Sequence, residues 1–208
     1  TETTSQDPMQ ARLVGLSFSL EPAAAWYIPV GHKYLGAPEQ LTLETVLERL
    51  RPVLIDPTIE KIGQNIKYDW MVLRRHGADL AGVGFDTMVA SYLINPGKRA
   101  HGLDQIALDH LGHKNIAYAD VAGKGKNAVT FDQVILDKAI PYACEDADIT
   151  LAAHDVFVPL LEENGVAELM KTVEMPLLPV LMEMELTGVC VDRERLHDLS
   201  KSFAGQLD

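Results

Sequence analysis

Cysteine is scarce in this 208-residue chain, Cys144 and Cys190 being the only two. That number cannot build a disulfide framework or a zinc cluster, so both are read as reduced thiols of a cytosolic protein. No apolar run is long enough to cross a bilayer, which argues against a membrane protein. The opening TETTSQDPMQ lacks the basic and apolar regions of a secretory signal. Internal repeats and low-complexity segments are absent, which removes solenoids and disordered arrays from consideration. Positive charge is also in short supply: Lys and Arg total 18 against 30 Asp and Glu, a formal net charge of −12. Such a deficit argues against a broad basic face gripping nucleic acid. It leaves room for a site in which carboxylates hold divalent cations and the cations meet a phosphate.

What is present is ordinary for a globular protein, with 47% hydrophobic and 23% charged residues, enough for one good-sized core and a short appendage. Val14, Leu16, Phe18 and Leu20 alternate with small or polar residues, predicting a half-buried strand over 11–20. Ala25 to Val30 reads as its hairpin partner, across a turn at Glu21, Pro22 and the alanines. Leu43, Val46, Leu47, Leu50, Val53 and Leu54 make the apolar stripe of a helix over 41–55, with Thr45 and Glu48 at capping-box spacing. Lys61 to Gly63 is a short strand that leads through Gly63, Gln64 and Asn65 into a helix over 66–76, closed by Gly77. Asp86 caps a helix that ends at Asn95 and Pro96. Another helix spans 101–111, and 118–127 reads as a loop. Its GKGKN segment lacks the G-x-x-x-x-G-K-[ST] pattern of a phosphate loop, so it is either a basic loop touching a phosphate or a solvated turn. Thr130 and Gln133 have the spacing to start a helix running to Ile140. Pro141 then opens a separate helix that continues to Leu161. A helix over 167–186, kinked at Pro176 and Pro179, is followed by a turn and a last helix from Arg193.

The chemistry concentrates in PYACEDADIT, Pro141 to Thr150. Tyr142 and Asp146 are one helical turn apart, so a phenol and a carboxylate share a face. Glu145, Asp146 and Asp148 crowd three carboxylates into one turn, and such like charges call for a cation, a partner or open water. The competing reading is an acidic first turn that complements a helix dipole, and Asp69 in the first turn of its helix admits the same explanation. The seven histidines, His32, His76, His101, His110, His113, His154 and His197, show no ligand-like pairing. Cys144 reads as a buried thiol rather than a nucleophile.

Three separated pieces, TET at Thr1 to Thr3, GQNIKYD at Gly63 to Asp69 and YACED at Tyr142 to Asp146, resemble the three motifs of the DEDD superfamily of 3′-to-5′ exonucleases, tyrosine subclass. FDTM at Phe85 to Met88, AGKGKN at Ala122 to Asn127 and EDADIT at Glu145 to Thr150 are similar to the proofreading domain of bacterial family A DNA polymerases. The resemblance implies an α/β, ribonuclease H-like fold, a mixed sheet flanked by helices. It assigns residues 1–170 to the exonuclease domain and, through EMPLLPVL and TGVCVD, residues 171–208 to the start of a helical polymerase domain.

The same resemblance implies removal of 3′-terminal nucleotides from single-stranded DNA by a two-metal mechanism with Mg²⁺ or Mn²⁺, serving the polymerase domain of the same parent chain in replication and repair. Glu2 and Asp146 would bind the first ion, Asp69 would hold the second through water, and the Tyr142 hydroxyl would orient the attacking water. Gln64 and Asn65 would lie near the substrate strand, with Lys124, Lys126 and Arg99 as weaker phosphate contacts. The family motif reads Asp-x-Glu, and Thr1 and Glu2 supply its last two positions. The bridging aspartate is therefore expected immediately before Thr1, and its absence is expected to weaken metal binding and activity of this chain by itself. A ribonuclease D-like RNA exonuclease and a non-catalytic module of a polymerase are the alternatives.

Overall fold

The computed structural model describes residues 1–207. Three antiparallel strands, β1 (Glu2–Thr3), β2 (Leu13–Glu21) and β3 (Ala24–Pro29), lie in sequence order, and β4 (Lys61–Gly63) pairs in parallel with β5 (Val83–Asp86). Helices surround them: α1 (Leu43–Leu54), α2 (Ile66–Arg75), α3 (Thr87–Ile94), α4 (Leu103–Ile106), α5 (Tyr118–Ala122), α6 (Leu136–Glu163), α7 (Ala167–Leu169), α8 (Met175–Thr187) and α9 (Arg193–Leu207). The α/β class expected from the resemblance is the observed one.

The β2–β3 hairpin turns through Ala23, whose left-handed φ of 61° is held by its N–H donating to Asp148 Oδ1 at 2.8 Å. Leu13, Val14, Gly15 and Leu16 are all buried, so the first half of β2 is covered on both faces rather than half-exposed. Leu13 and Leu16 join the main core with Val72, Phe85, Ala153 and Phe157. Val14 instead meets Ala122, Phe131, Val134 and Ala139, a smaller cluster against which Tyr27 and Tyr142 pack. The long α6 lies across both, and it carries the functional stretch past the sheet.

Helix α6 runs 28 residues, with Pro141 and Pro159 inside it, where two helices meeting at Pro141 are expected from sequence. Proline removes one N–H and strains the preceding turn. Here Pro141 and Asp137 are both exposed, so the carbonyl left without its helical partner faces water, while Ala139 and Ala143 on the other face pack inward. Its cap also differs. Thr130 precedes a 3₁₀ turn, Phe131–Gln133, and bonds Asp132 with its hydroxyl; α6 itself starts after Ile135. Likewise α1 is capped by Thr42, which accepts from Thr45 N at 3.2 Å, so Thr45 and Glu48 form no capping box. Helix α4 widens into a π-turn at Ala107–Leu111, and the segment read as a loop over 118–127 holds α5 and a 3₁₀ turn at Gly125–Asn127. Met170–Glu174 is a π-turn that joins α7 to α8. Through Met175 and Leu178, α8 packs into the main core, whereas α9 buries none of its described residues. Among the described residues, no helix is long and apolar enough to cross a membrane.

Candidate active site

The acid run of α6 separates because successive helical positions point about 100° apart. Glu145 turns toward the segment before α5, accepting from Ile116 N at 2.6 Å and pairing with His113 Nε2 at 2.8 Å. Asp148 turns toward the hairpin and holds Ala23. Only Asp146 faces Glu2 and Tyr142, so the crowding read in the sequence is relieved by divergence, with a different partner for each acid.

Glu2 reaches the site from β1, which pairs with β2 through Glu2 opposite Gly15 and Thr3 opposite Leu13. Tyr68, at the start of α2, fixes β1 from the other side: its hydroxyl lies 2.5 Å from Thr3 Oγ1 and also bonds Ser5 O. The next residue, Asp69, accepts from the Thr1 amine at 2.8 Å and from Thr1 Oγ1 at 2.5 Å. Glu2 of β1 thus lies near enough to Asp69 of α2 to feel its charge, and near enough to Asp146 of α6 to act on it. Burial, opposed by the Thr1 amine and reinforced by Asp69, pushes Glu2 up to about 7. Burial and then Glu2 push Asp146 up to about 8, with Asp104 adding to the effect and Tyr142 opposing it.

Tyr142 packs at 5.8 Å from Phe131 and at 6.1 Å, edge-on, from Tyr118. Burial and the Asp146 and Glu2 charges raise its phenol, so it stays protonated across the neutral range. Its hydroxyl faces the Asp146 carboxylate, and that interaction helps to hold the phenol proton in place. Behind this wall the Tyr27 hydroxyl lies 2.8 Å from His32 Nε2, and His32 Nδ1 lies 2.9 Å from Val134 O.

Asn65 precedes α2 in the left-handed conformation, φ 55° and ψ 47°, which asparagine tolerates. Gln64 is committed inside the protein: its Nε2 donates to His101 O at 2.9 Å, and Thr87 Oγ1 donates to its Oε1 at 2.5 Å. One Nε2 proton of Gln64 remains for a ligand. Lys124, Lys126 and Arg99 are exposed, and among the described residues they form no ion pair. Sequence reading missed Tyr68, Asp104, Tyr118 and the second task of Asp86 described below. Tyr68 sits inside the GQNIKYD match and was findable there; Asp104 reaches the site only through tertiary packing.

Among the described residues, no group of three or more His, Cys, Asp or Glu side chains forms a ready-made metal cage. The donor chemistry nonetheless suits a hard divalent cation. Glu2 and Asp146 are half-buried oxygen donors whose proton affinity is raised by desolvation and by a neighbouring carboxylate, Asp69 for the first and Glu2 for the second, and a cation would relieve both.

The α/β fold has the ribonuclease H-like architecture expected from the resemblance. A family model described as 3′-5′ exonuclease matches residues 1–162. The DNA polymerase I of Pseudomonas aeruginosa is 44% identical over all of this chain, and that of Rhizobium leguminosarum is 42% identical over 98% of it. The chain belongs to the 3′-5′ exonuclease family. It spans 23% and 22% of the length of those two relatives. Among solved structures, the POL domain of Pol1 from M. smegmatis, in complex with DNA primer-template and dNTP, is similar with a TM-score of 0.70 and 26% identity, over 88% of this chain and 27% of that one. Brucella melitensis NrnC with bound Mg²⁺ shares the fold, with a TM-score of 0.65 and 23% identity over 90% of this chain and 83% of that one.

Proposed function

We propose that this domain hydrolyses the 3′-terminal phosphodiester of single-stranded DNA and releases 5′-mononucleotides, as the editing part of a longer polymerase chain. What supports this reading is that Glu2 of β1 lies near Asp69 of α2 and near Asp146 of α6, with the protonated Tyr142 hydroxyl beside Asp146. Two divalent cations, Mg²⁺ or Mn²⁺, supply in this reading the charge neutralisation at the phosphate and the acidified water that phosphodiester hydrolysis requires. Glu2 and Asp146 would hold the first, and Asp69 would hold the second through water.

The chain's own residues then have separable tasks. The Tyr142 hydroxyl orients the attacking water as a hydrogen-bonding group; with its phenol raised, it does not act as a base. Asn65, whose side chain does not cap α2, faces the terminal nucleotide, and Gln64 contributes its one free N–H. Lys124 and Lys126 contact the strand at a distance from the cleaved bond. Residues 171–208 are the passage into the polymerase domain.

The test uses single-stranded DNA and RNA of equal length, labelled at the 3′ end and incubated with Mn²⁺. Both the 208-residue chain and a version carrying one added aspartate ahead of Thr1 are assayed. The extended chain is expected to release labelled 5′-mononucleotide from DNA faster than from RNA, and Asp146→Ala to abolish release. Preference for RNA would favour a ribonuclease D-like enzyme, and no release from either strand would overturn the nuclease reading.

A further inference from the structure

The FDTM stretch has no task in the reaction above, yet its aspartate is among the most buried side chains in the molecule, 1% exposed. Asp86 sits between two helix N-termini. Its Oδ1 accepts from Met88 N at 2.8 Å and Val89 N at 3.2 Å, which caps α3, and from Asn65 N at 3.2 Å. Its Oδ2 accepts from Ile66 N at 2.8 Å, the first residue of α2. A carboxylate removed from water normally needs a cation. Here four amide donors and the positive ends of two helices stand in for one.

Every one of these bonds that leaves α3 lands on the turn that begins α2. Thr87 adds to them, its hydroxyl reaching Gln64 Oε1 at 2.5 Å and Gly63 O at 3.2 Å. The turn contains Asn65 in its left-handed conformation, which asparagine adopts more readily than other non-glycine residues. Asp86 fixes the turn by gripping Asn65 N and Ile66 N together. The direction in which α2 leaves the turn decides where Asp69, one helical turn later, projects.

We propose that Asp86 is a positioning residue of the exonuclease site: it clamps the start of α2 to the start of α3, so that Asn65 and Asp69 face Glu2 and Asp146. This inference rests on the function proposed above. Asp86 touches no substrate and holds no metal; it acts through the turn.

The test is Asp86→Asn, with Asp86→Ala as a harsher variant and Thr42→Ala, which removes the α1 cap, as a control for lost stability alone. An amide can keep its oxygen on the three N–H groups that share Oδ1, but its NH₂ then opposes Ile66 N–H, so the clamp on α2 fails while the fold survives. Mn²⁺ binding by calorimetry and the Mn²⁺ dependence of nucleotide release are read in parallel, at temperatures where every variant is folded. Asp86→Asn is expected to raise the Mn²⁺ concentration for half-maximal activity about tenfold or more, while Thr42→Ala leaves it unchanged. A folded Asp86→Asn protein with the unaltered Mn²⁺ response would overturn the proposal while the nuclease reading stands. Absence of nucleotide release from the unaltered chain and from its aspartate-extended form would instead remove the nuclease reading, and this inference with it.

Discussion

Tyr142 and Asp146 share a face of α6, and this pair is where the chemistry is most exposed to single substitutions. Tyr142→Phe removes the hydroxyl and keeps the ring against Phe131 and Tyr118. The expected result is a fall in kcat of roughly 10- to 100-fold with KM for DNA little changed, measured by steady-state nucleotide release. Protonation offers a second check. Burial, with Glu2 adding to it, raises Asp146 to about 8, and burial, with Asp69 adding to it, raises Glu2 to about 7, from unfolded values near 4. A carboxyl that binds its proton more tightly in the fold contributes stability fully below the unfolded value and loses it as pH climbs through the folded one. Metal-free protein should therefore melt lower at about pH 8.5 than at about pH 5, and Asp146→Asn should flatten that dependence. Mn²⁺ needs the deprotonated carboxylates, so the stabilisation it gives should be larger at the higher pH. A melting temperature that rises over this interval without metal would contradict the assignment.

Among the elements, those whose signals are local were legible in the sequence. Lys61–Gly63 and the helix after Asn65 follow from a turn, an apolar stripe and a glycine cap within a short window. The candidate site residues Glu2, Asp69, Tyr142 and Asp146 were named from the motif resemblance, since the spacing of the acids alone also allowed a solvated acidic turn. Partners distant in the chain were not legible. Strand β5 exists because Val83, Phe85 and Asp86 pair with β4, and nothing in that stretch alone calls for a strand. Helix α6 passes through Pro141 because packing of Ala139 and Ala143 outweighs one lost hydrogen bond, a competition that propensity rules settle the other way. Glu145 gives a prediction at this scale. Its carboxylate ties the segment at Ile116 to α6, so Glu145→Ala should cost about 1–3 kcal/mol in chemical denaturation by leaving the Ile116 N–H unpartnered. Glu145→Gln should recover most of this, and hydrogen exchange at Ile116 should quicken only in the alanine variant.

Taken whole, the molecule divides its C-terminal part unequally. Met175, Leu178 and Met182 of α8 are buried, and the first two belong to the main core, whereas α9 buries no residue. Deleting 188–208 should therefore change stability by only about 0.5 kcal/mol, while deleting 175–208 should cost several kcal/mol or abolish cooperative melting. Equal losses from both deletions would show that α9 contributes packing of its own. With a net charge of −12, the domain has little broad attraction for DNA, and its grip on a strand should depend more on divalent cation than on monovalent salt. The account as a whole depends on a cation seat bounded by three chain segments. Anomalous diffraction from crystals soaked in millimolar Mn²⁺ examines that seat directly. Density is predicted between Glu2 and Asp146, with a second peak toward Asp69 about 3.5–4 Å away. A difference map with no peak among these three carboxylates would contradict the account.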